Sequence, residues 1–184
     1  MHTLKYYRKS VSIACTVIAI FSQYSCTKKI NPSQNITIAS SGKIESIDPA
    51  RANTLKSFQL LNALGDTLYE LNHEGELIPK LAASKPIMSK DKLKIFIKLK
   101  KNILFHDGTP FDSSSMKFTI ERFQNIGTLN YILNKKIKSI ETPSNELLII
   151  NLNNPSSSIE GLLTSINLTP ISPKFYKDHF DKFL

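Results

Sequence analysis

Few residues in this sequence combine the types and spacing that catalysis requires. His106 is followed directly by Asp107, but adjacent residues on a turn cannot both face one substrate atom, as a catalytic base and its orienting group must. We therefore expect His106 to be a hydrogen-bonding turn residue. The remaining histidines, at positions 2, 73 and 179, lack the i+4 or paired spacing of a metal site.

The glycines and serines also fail to form known catalytic or nucleotide-binding motifs. The six glycines nowhere fall into GxGxxG or a P-loop, which excludes nucleotide sites of those types. The serine runs at 113–115 and 156–158 lie outside any G-x-S-x-G motif and are better interpreted as helix starts. The residues thus favour a protein that is not an enzyme and that has neither metal nor cofactor.

The N-terminus has the pattern of an export signal over residues 1–25. Basic residues at positions 5, 8 and 9 precede an apolar run at 11–21, which is too short to span a bilayer, since that takes about 20 residues. Cys26 follows the small residue Ser25, as in the bacterial lipobox, and is a candidate lipid attachment site. Gln23 stands where lipoboxes usually carry Leu, so ordinary cleavage is an open alternative, as is a buried N-terminal helix.

Cleavage before Cys26 has consequences for the mature chain. Cys15 would leave with the signal, so no internal disulfide, cysteine metal site or CxxC redox motif would remain. Residues 26–35 are polar and contain Pro32, which predicts a flexible spacer. We expect an exported, periplasmic protein that could be anchored to a membrane through a lipid.

The number of basic residues and their distribution bear on whether the protein binds nucleic acid. The 184 residues carry 24 Lys and Arg against 15 Asp and Glu, and three of those basic residues lie in the export segment. The densest basic run, at 90–101, alternates with aliphatic residues as a strand with one solvated face does. We therefore expect no nucleic-acid partner.

The elements that must position any site are predicted from periodicity and capping residues. Asn53 is expected to cap a helix with apolar residues from Leu55 to Leu71. Gly65 within this helix suggests either a close backbone approach or a break near Leu64. Asp112 is expected to cap a second helix. Its buried face would consist of Met116, Ile120 and Phe123.

The predicted strands alternate with these helices without strict βαβ order. Strands are expected at 36–40 and 93–99, and residues 137–141 and 146–152 form a predicted hairpin. A short helix is predicted at 159–165, whereas the prolines in 168–176 argue against regular helix there. The expected fold class is mixed α/β.

Four segments, in this order along the chain, resemble the bacterial family 5 extracellular solute-binding proteins of ABC transporters. They are SIDPA at 46–50, LNAL and DTL between 61 and 68, GELIPKLA at 75–82 and FHDGTPF at 105–111. The last is the sharpest, because an alternating strand precedes it and a helix with Phe118, Glu121 and Arg122 follows. Lys85, Gly65 and Ser115 depart from the usual family residues, and these departures concern packing details and not the fold.

The resemblance implies a structure and a function. Residues 36–184 would be the N-terminal part of lobe I of a two-lobed, class II periplasmic-binding-protein-like fold, in which the lobes close over the solute. Such proteins capture peptides or similar small solutes for the membrane permease subunits of an ABC importer. Ser40, Ser41, Gly42 and Tyr176 are the candidate ligand-binding residues, and the HDG turn is expected to be structural.

The length of family members, typically about 500 residues, leaves other interpretations open. A second polypeptide could supply the missing lobe, or the chain could be a non-functional truncated remnant. A membrane-anchored basic interaction module is a further alternative, and an enzyme is the weakest.

Overall fold

The computed structural model describes Ala39 and residues 41–179. The chain divides into two units between Ser41 and Gly42, and every element below belongs to the second. The described helices are α1 (Leu55–Leu64), α2 (Ser113–Ile126), α3 (Ile159–Leu162) and α4 (Pro173–Asp178), with 3-10 turns at Asn130–Ile132 and Ile166–Leu168. The described strands are β1 (Tyr69–Leu71), β2 (Leu77–Pro79), β3 (Ile87–Met88), β4 (Lys94–Lys98), β5 (Ile137–Ser144) and β6 (Leu147–Leu152).

Helix α1 begins one residue later than predicted. The side chain of Thr54, not Asn53, accepts a hydrogen bond from the amide of Ser57 and caps the helix. Of the two alternatives for Gly65, the break near Leu64 is confirmed, because the helix ends at Leu64 and Gly65 has an extended conformation. The prediction that the apolar stripe continues to Leu71 is wrong, since Leu71 belongs to β1.

A four-stranded antiparallel sheet with the order β3-β4-β6-β5 forms the centre of the unit. Ile95 pairs with Ile150 and Ile97 with Leu148, and all four side chains are fully buried. The predicted strand at 93–99 and the predicted hairpin are therefore confirmed. β1 and β2 form a separate hairpin.

Helix α2 closes the core over this sheet. Asp112 caps it as predicted: its carboxylate accepts from the amide of Ser115 at 2.8 Å. Met116, Ile120 and Phe123 are fully buried in the same cluster as the sheet residues Ile95, Ile97, Leu148 and Ile150. The spacing of apolar residues along α2 thus identified its buried face correctly.

The C-terminal part of the described chain differs from the prediction. Helix α3 ends at Leu162, before the predicted end at Ser165. The expectation that prolines exclude regular helix in 168–176 is wrong, because Pro173 occupies the start of α4, where a missing N–H forfeits no hydrogen bond. Ser172 caps this helix by accepting from the amide of Phe175 at 3.1 Å.

Two further observations complete the fold. The strand predicted at 36–40 falls on residues outside the described part, apart from Ala39. Within the described residues, no helix is long and apolar enough to cross a membrane.

Candidate functional site

The turn after β4 is built on hydrogen bonds and one glycine. The amide of Phe105 donates to the carbonyl of Thr109 at 2.8 Å, and Gly108 has φ +79°, a conformation that favours glycine. His106 is exposed, and the side-chain hydrogen bonds expected of it are made by its neighbour Asp107. These hydrogen bonds and the backbone conformation of Gly108 indicate that the turn has a structural role.

Asp107 connects this turn to the start of α4. One carboxylate oxygen accepts from the amide and hydroxyl of Thr109 at 2.9 and 2.6 Å, and the other accepts from the hydroxyl of Ser172 at 2.6 Å. These hydrogen bonds, that from Ser172 first, lower the pKa of Asp107 to about 2, and the charge of Lys174 adds a smaller effect. The ionised carboxylate therefore holds the capping residue of α4 in place.

The depressed pKa predicts a specific dependence of stability on pH. Since the folded-state pKa lies below the ordinary value of 3.8, the stabilisation from Asp107 is fully present above about pH 4 and is lost as the pH falls toward about 2. The melting temperature of Asp107→Asn should therefore lie below that of the unaltered protein at neutral pH, and the two should converge below about pH 2. Asp178→Asn, which removes a carboxylate from α4, is the control; a gap for Asp107→Asn that stays constant with pH would contradict the assignment.

A buried ion pair connects α2 to the SIDPA turn. The guanidinium of Arg122, on α2, donates to the two carboxylate oxygens of Asp48 at 2.8 and 2.5 Å. The two residues are 7% and 6% exposed. Asp48 also accepts from the amide of Ala50 at 3.1 Å, which fixes the SIDPA turn against α2.

Burial lowers the pKa of Arg122, but hydrogen bonds to Asp48 and Tyr176 and the charge of Asp48 outweigh burial, so the pKa is raised overall. The guanidinium thus stays charged, with the Asp48 carboxylate as its counterion. A fork-shaped donor that meets a carboxylate in two parallel hydrogen bonds is the strong, orientation-specific form of such a pair.

Tyr176 of α4 packs on this ion pair. Its ring lies 4.5 Å from the Arg122 guanidinium carbon and 5.4 Å from the ring of Phe118. The neighbouring Phe175 is 43% exposed and stacks on His179 at 4.1 Å. Two separate networks, one through Ser172 and one through Arg122, therefore fix the orientation of α4 and of the half-buried Tyr176 side chain.

Not all of the site residues predicted from the sequence lie in the described part of the chain. Ser41 and Gly42 are exposed and lie in a bend, and Gly42 has φ +101°. Tyr176 is half-buried on α4, with Arg122 and Phe118 as its ring partners. Ser40 and Cys26 lie outside the described residues.

Sequence reasoning missed the residues that position Tyr176. Asp48 lies in the SIDPA segment and Arg122 in the helix that follows FHDGTPF, but 74 positions separate them, and no local spacing links them. The presence of Arg122 beside Phe123 on the apolar side of α2 was the available signal for a buried partner. Ser172 was not identified as a helix cap, because residues 168–176 were expected to lack regular helix.

The described residues contain no group of three or more His, Cys, Asp or Glu side chains able to hold a metal ion. A small open cleft of about 240 Å³ lies beside β1 and is lined in part by Asp66, Glu70 and Lys80. The Lys80 ammonium lies 3.8 Å from Asp66 and 3.3 Å from Glu70. These charges thus compensate one another within the cleft.

Comparisons with known proteins agree with the resemblance. The family model for bacterial extracellular solute-binding proteins, family 5 Middle, matches residues 76–184. The glutathione-binding protein GsiB of Escherichia coli O6:K15:H31 is 28% identical over 142 residues, which cover 76% of this chain and 28% of GsiB. GsiB of Pectobacterium atrosepticum is 29% identical over the same length.

Solved structures show the same fold. Listeria monocytogenes OppA bound to peptide superposes with a TM-score of 0.72 at 23% identity, over 78% of this chain and 32% of OppA. NikZ from Campylobacter jejuni in complex with Ni(L-His) superposes with a TM-score of 0.64 at 26% identity, over 74% of this chain and 27% of NikZ. The predicted fold class is confirmed as mixed α/β, corresponding to part of one lobe of a class II solute-binding protein.

The chain spans less than a third of the length of these relatives. The family match nevertheless covers more than half of the chain itself and includes the FHDGTPF turn, α2 and α4. This protein therefore belongs to the bacterial extracellular solute-binding proteins of family 5.

Proposed function

We propose that this chain forms part of the solute-capturing component of an ABC importer, and that its solutes are peptides or similar small molecules. The observation that carries the proposal is the family match over 76–184, supported by a fold shared with a peptide-bound structure. The relatives are named as binding or transport proteins, which supports the expectation that the chain is not an enzyme. The comparisons give no support to an inert remnant or to a basic interaction module as its function.

Tyr176 is the described candidate whose surroundings best suit ligand contact. Its ring is held on one side by Arg122 and Phe118, so little side-chain entropy remains to be lost when a ligand binds. Aromatic side chains with a polar end suit the mixed apolar and polar surface of a peptide. Ser40, Ser41 and Gly42 are proposed as further contacts through backbone groups.

The cellular location is proposed from the sequence alone. Export would follow from the signal over 1–25, and Cys26 would anchor the mature protein in a membrane if it is lipidated. The permease subunits of the importer are the proposed protein partners, and the comparisons do not support a second polypeptide that completes the lobe.

The function can be tested by uptake in the bacterium that encodes the chain. Deleting the chain should lower uptake of a labelled tripeptide by about tenfold or more, and leave uptake of a labelled free amino acid unchanged, because a capture protein supplies specificity that the permease lacks. Unchanged uptake of tripeptides and of glutathione after deletion would contradict the function.

Complementation separates the site from the function. Tyr131→Ala, which alters a 70% exposed tyrosine in a 3-10 turn, should restore uptake fully. Tyr176→Ala should restore it poorly at equal protein abundance, and Tyr176→Phe should restore most of it, since the ring is retained. Full restoration by Tyr176→Ala would refute the placement of the site and leave the function standing.

A further inference from the structure

One face of the four-stranded sheet carries a concentration of lysines that the proposed function does not use. On β4, Ile95 and Ile97 are buried in the core, so Lys94, Phe96 and Lys98 point to the opposite face. Lys100 continues this alternation, since Leu99 is buried. All the lysines of the β3–β4 hairpin and its flanks are exposed: Lys85, Lys90, Lys92, Lys94, Lys98, Lys100 and Lys101. We call this surface the lysine face.

The lysine face carries a large excess of positive charge. The acid that the neighbouring strand places on it is Glu141 of β5, which lies opposite Ile149 and accepts from the side-chain amide of Asn151 at 2.6 Å. Residues 85–101 contain these seven lysines and one acid, Asp91. The Asp91 carboxylate accepts from the hydroxyl of Ser89 at 2.6 Å and the amide of Leu93 at 3.0 Å, so it serves to shape the hairpin turn. Within residues 41–179 the ion pairs involve Lys80, Lys117 and two arginines, and none includes a lysine of this face.

Apolar side chains lie among these charges. Ile87, Phe96 and Ile149 are directly paired across β3, β4 and β6, and none of the three belongs to the main core cluster or packs against it. Ile87 is 58% exposed, Phe96 is half-buried and Ile149 is buried. The lysine face is therefore a strip of apolar side chains bordered by ammonium groups, with aliphatic lysine stems able to lie along it.

This composition favours one class of anionic partner. Every cation of the face is a lysine, a flexible point charge without the planar fork that arginine uses to grip individual phosphates or bases. Its most exposed apolar residue is aliphatic, whereas single-stranded nucleic acid is bound by stacking on exposed aromatic rings. Basic side chains beside exposed aliphatic ones suit the headgroup region of an anionic bilayer.

We propose that the lysine face docks on a membrane surface that contains anionic phospholipid. Such docking would orient the unit of residues 42–184 with the β3–β4 hairpin toward the bilayer. It goes beyond solute capture, because it requires neither a solute nor a permease.

The test is sedimentation of the full chain with vesicles of phosphatidylglycerol and phosphatidylcholine, compared with vesicles of phosphatidylcholine alone. A triple variant of the lysine face should lower the partition coefficient on the anionic vesicles by about tenfold or more. It combines Lys94→Gln, Lys98→Gln and Lys100→Gln. A control triple variant removes the same charge at the other edge of the sheet and should lower the partition coefficient by less than about threefold. It combines Lys135→Gln, Lys136→Gln and Lys138→Gln. Raising the salt from about 0.05 M to about 0.5 M should abolish the difference between the two variants.

Every variant keeps the same N-terminal 41 residues, so any membrane affinity of that segment cancels in the comparison. Circular dichroism melting curves confirm that both variants are folded. Equal losses in the two variants would overturn the proposal, because the effect would then be one of net charge alone. Tighter binding to a single-stranded oligonucleotide than to the anionic vesicles, lost in the first variant only, would also overturn it and assign the face to nucleic acid. Neither outcome bears on peptide uptake, so the proposed function is tested separately.

Discussion

Replacing Asp48 by Ala is expected to lower the free energy of unfolding by about 3–5 kcal/mol, because it leaves the Arg122 guanidinium buried without its counterion. Both carboxylate hydrogen bonds to Arg122 would be lost, together with the one from the Ala50 amide. Urea denaturation followed by circular dichroism measures the change. Lys117→Ala on the same helix breaks an exposed pair with Glu121 and should change stability by less than about 1 kcal/mol.

A second variant distinguishes an uncompensated charge from a general loss of packing. The double variant Asp48→Leu, Arg122→Met replaces the pair by apolar side chains and should recover much of the stability lost in Asp48→Ala, since buried pairs are often no more stabilising than a hydrophobic replacement. A double variant less stable than Asp48→Ala would show that Arg122 contributes mainly through its contact with Tyr176.

Replacing Ile97 by Ala is expected to cost about 2–5 kcal/mol, because the lost methylene groups leave a cavity in a close-packed interior. Ile97 is fully buried at the centre of the sheet, opposite Leu148, and belongs to the same cluster as Met116 and Ile120. Thermal or urea unfolding monitored by circular dichroism is a sufficient measurement.

The adjacent residue provides the matched control. Lys98 is exposed on the opposite face of the same strand, and Lys98→Ala should change stability by less than about 0.5 kcal/mol. Equal effects at 97 and 98 would mean that the register of β4 is wrong, since a shift of one residue exchanges the two faces.

The edge strands of the four-stranded sheet, β3 and β5, affect whether the unit pairs with other chains. β3 has two residues and follows Pro86, and β5 carries Pro143 together with register shifts relative to β6. Short strands, prolines and bulges are features that discourage pairing with other chains. The described unit also has one continuous buried cluster, which favours folding of this segment around its own core.

The sequence by itself determined the elements whose signals are local. The alternation from Leu93 to Leu99, the cap at Asp112 and the alternative of a break near Leu64 each depend on residues within a few positions of one another, and the structure confirms all three. The four segments that indicated the family, of which FHDGTPF is the sharpest, are likewise runs of contiguous residues.

Tertiary structure decided how distant segments meet. The prolines of 168–176 argued against helix, yet α4 forms because Pro173 is tolerated at the helix start and Ser172 is held by Asp107, 65 positions away. Asp48 and Arg122 meet across 74 positions to hold Tyr176. Hydrogen bonds and ion pairs of this kind depend on distances that only the packed core establishes, because periodicity and capping report on neighbours within about one helical turn.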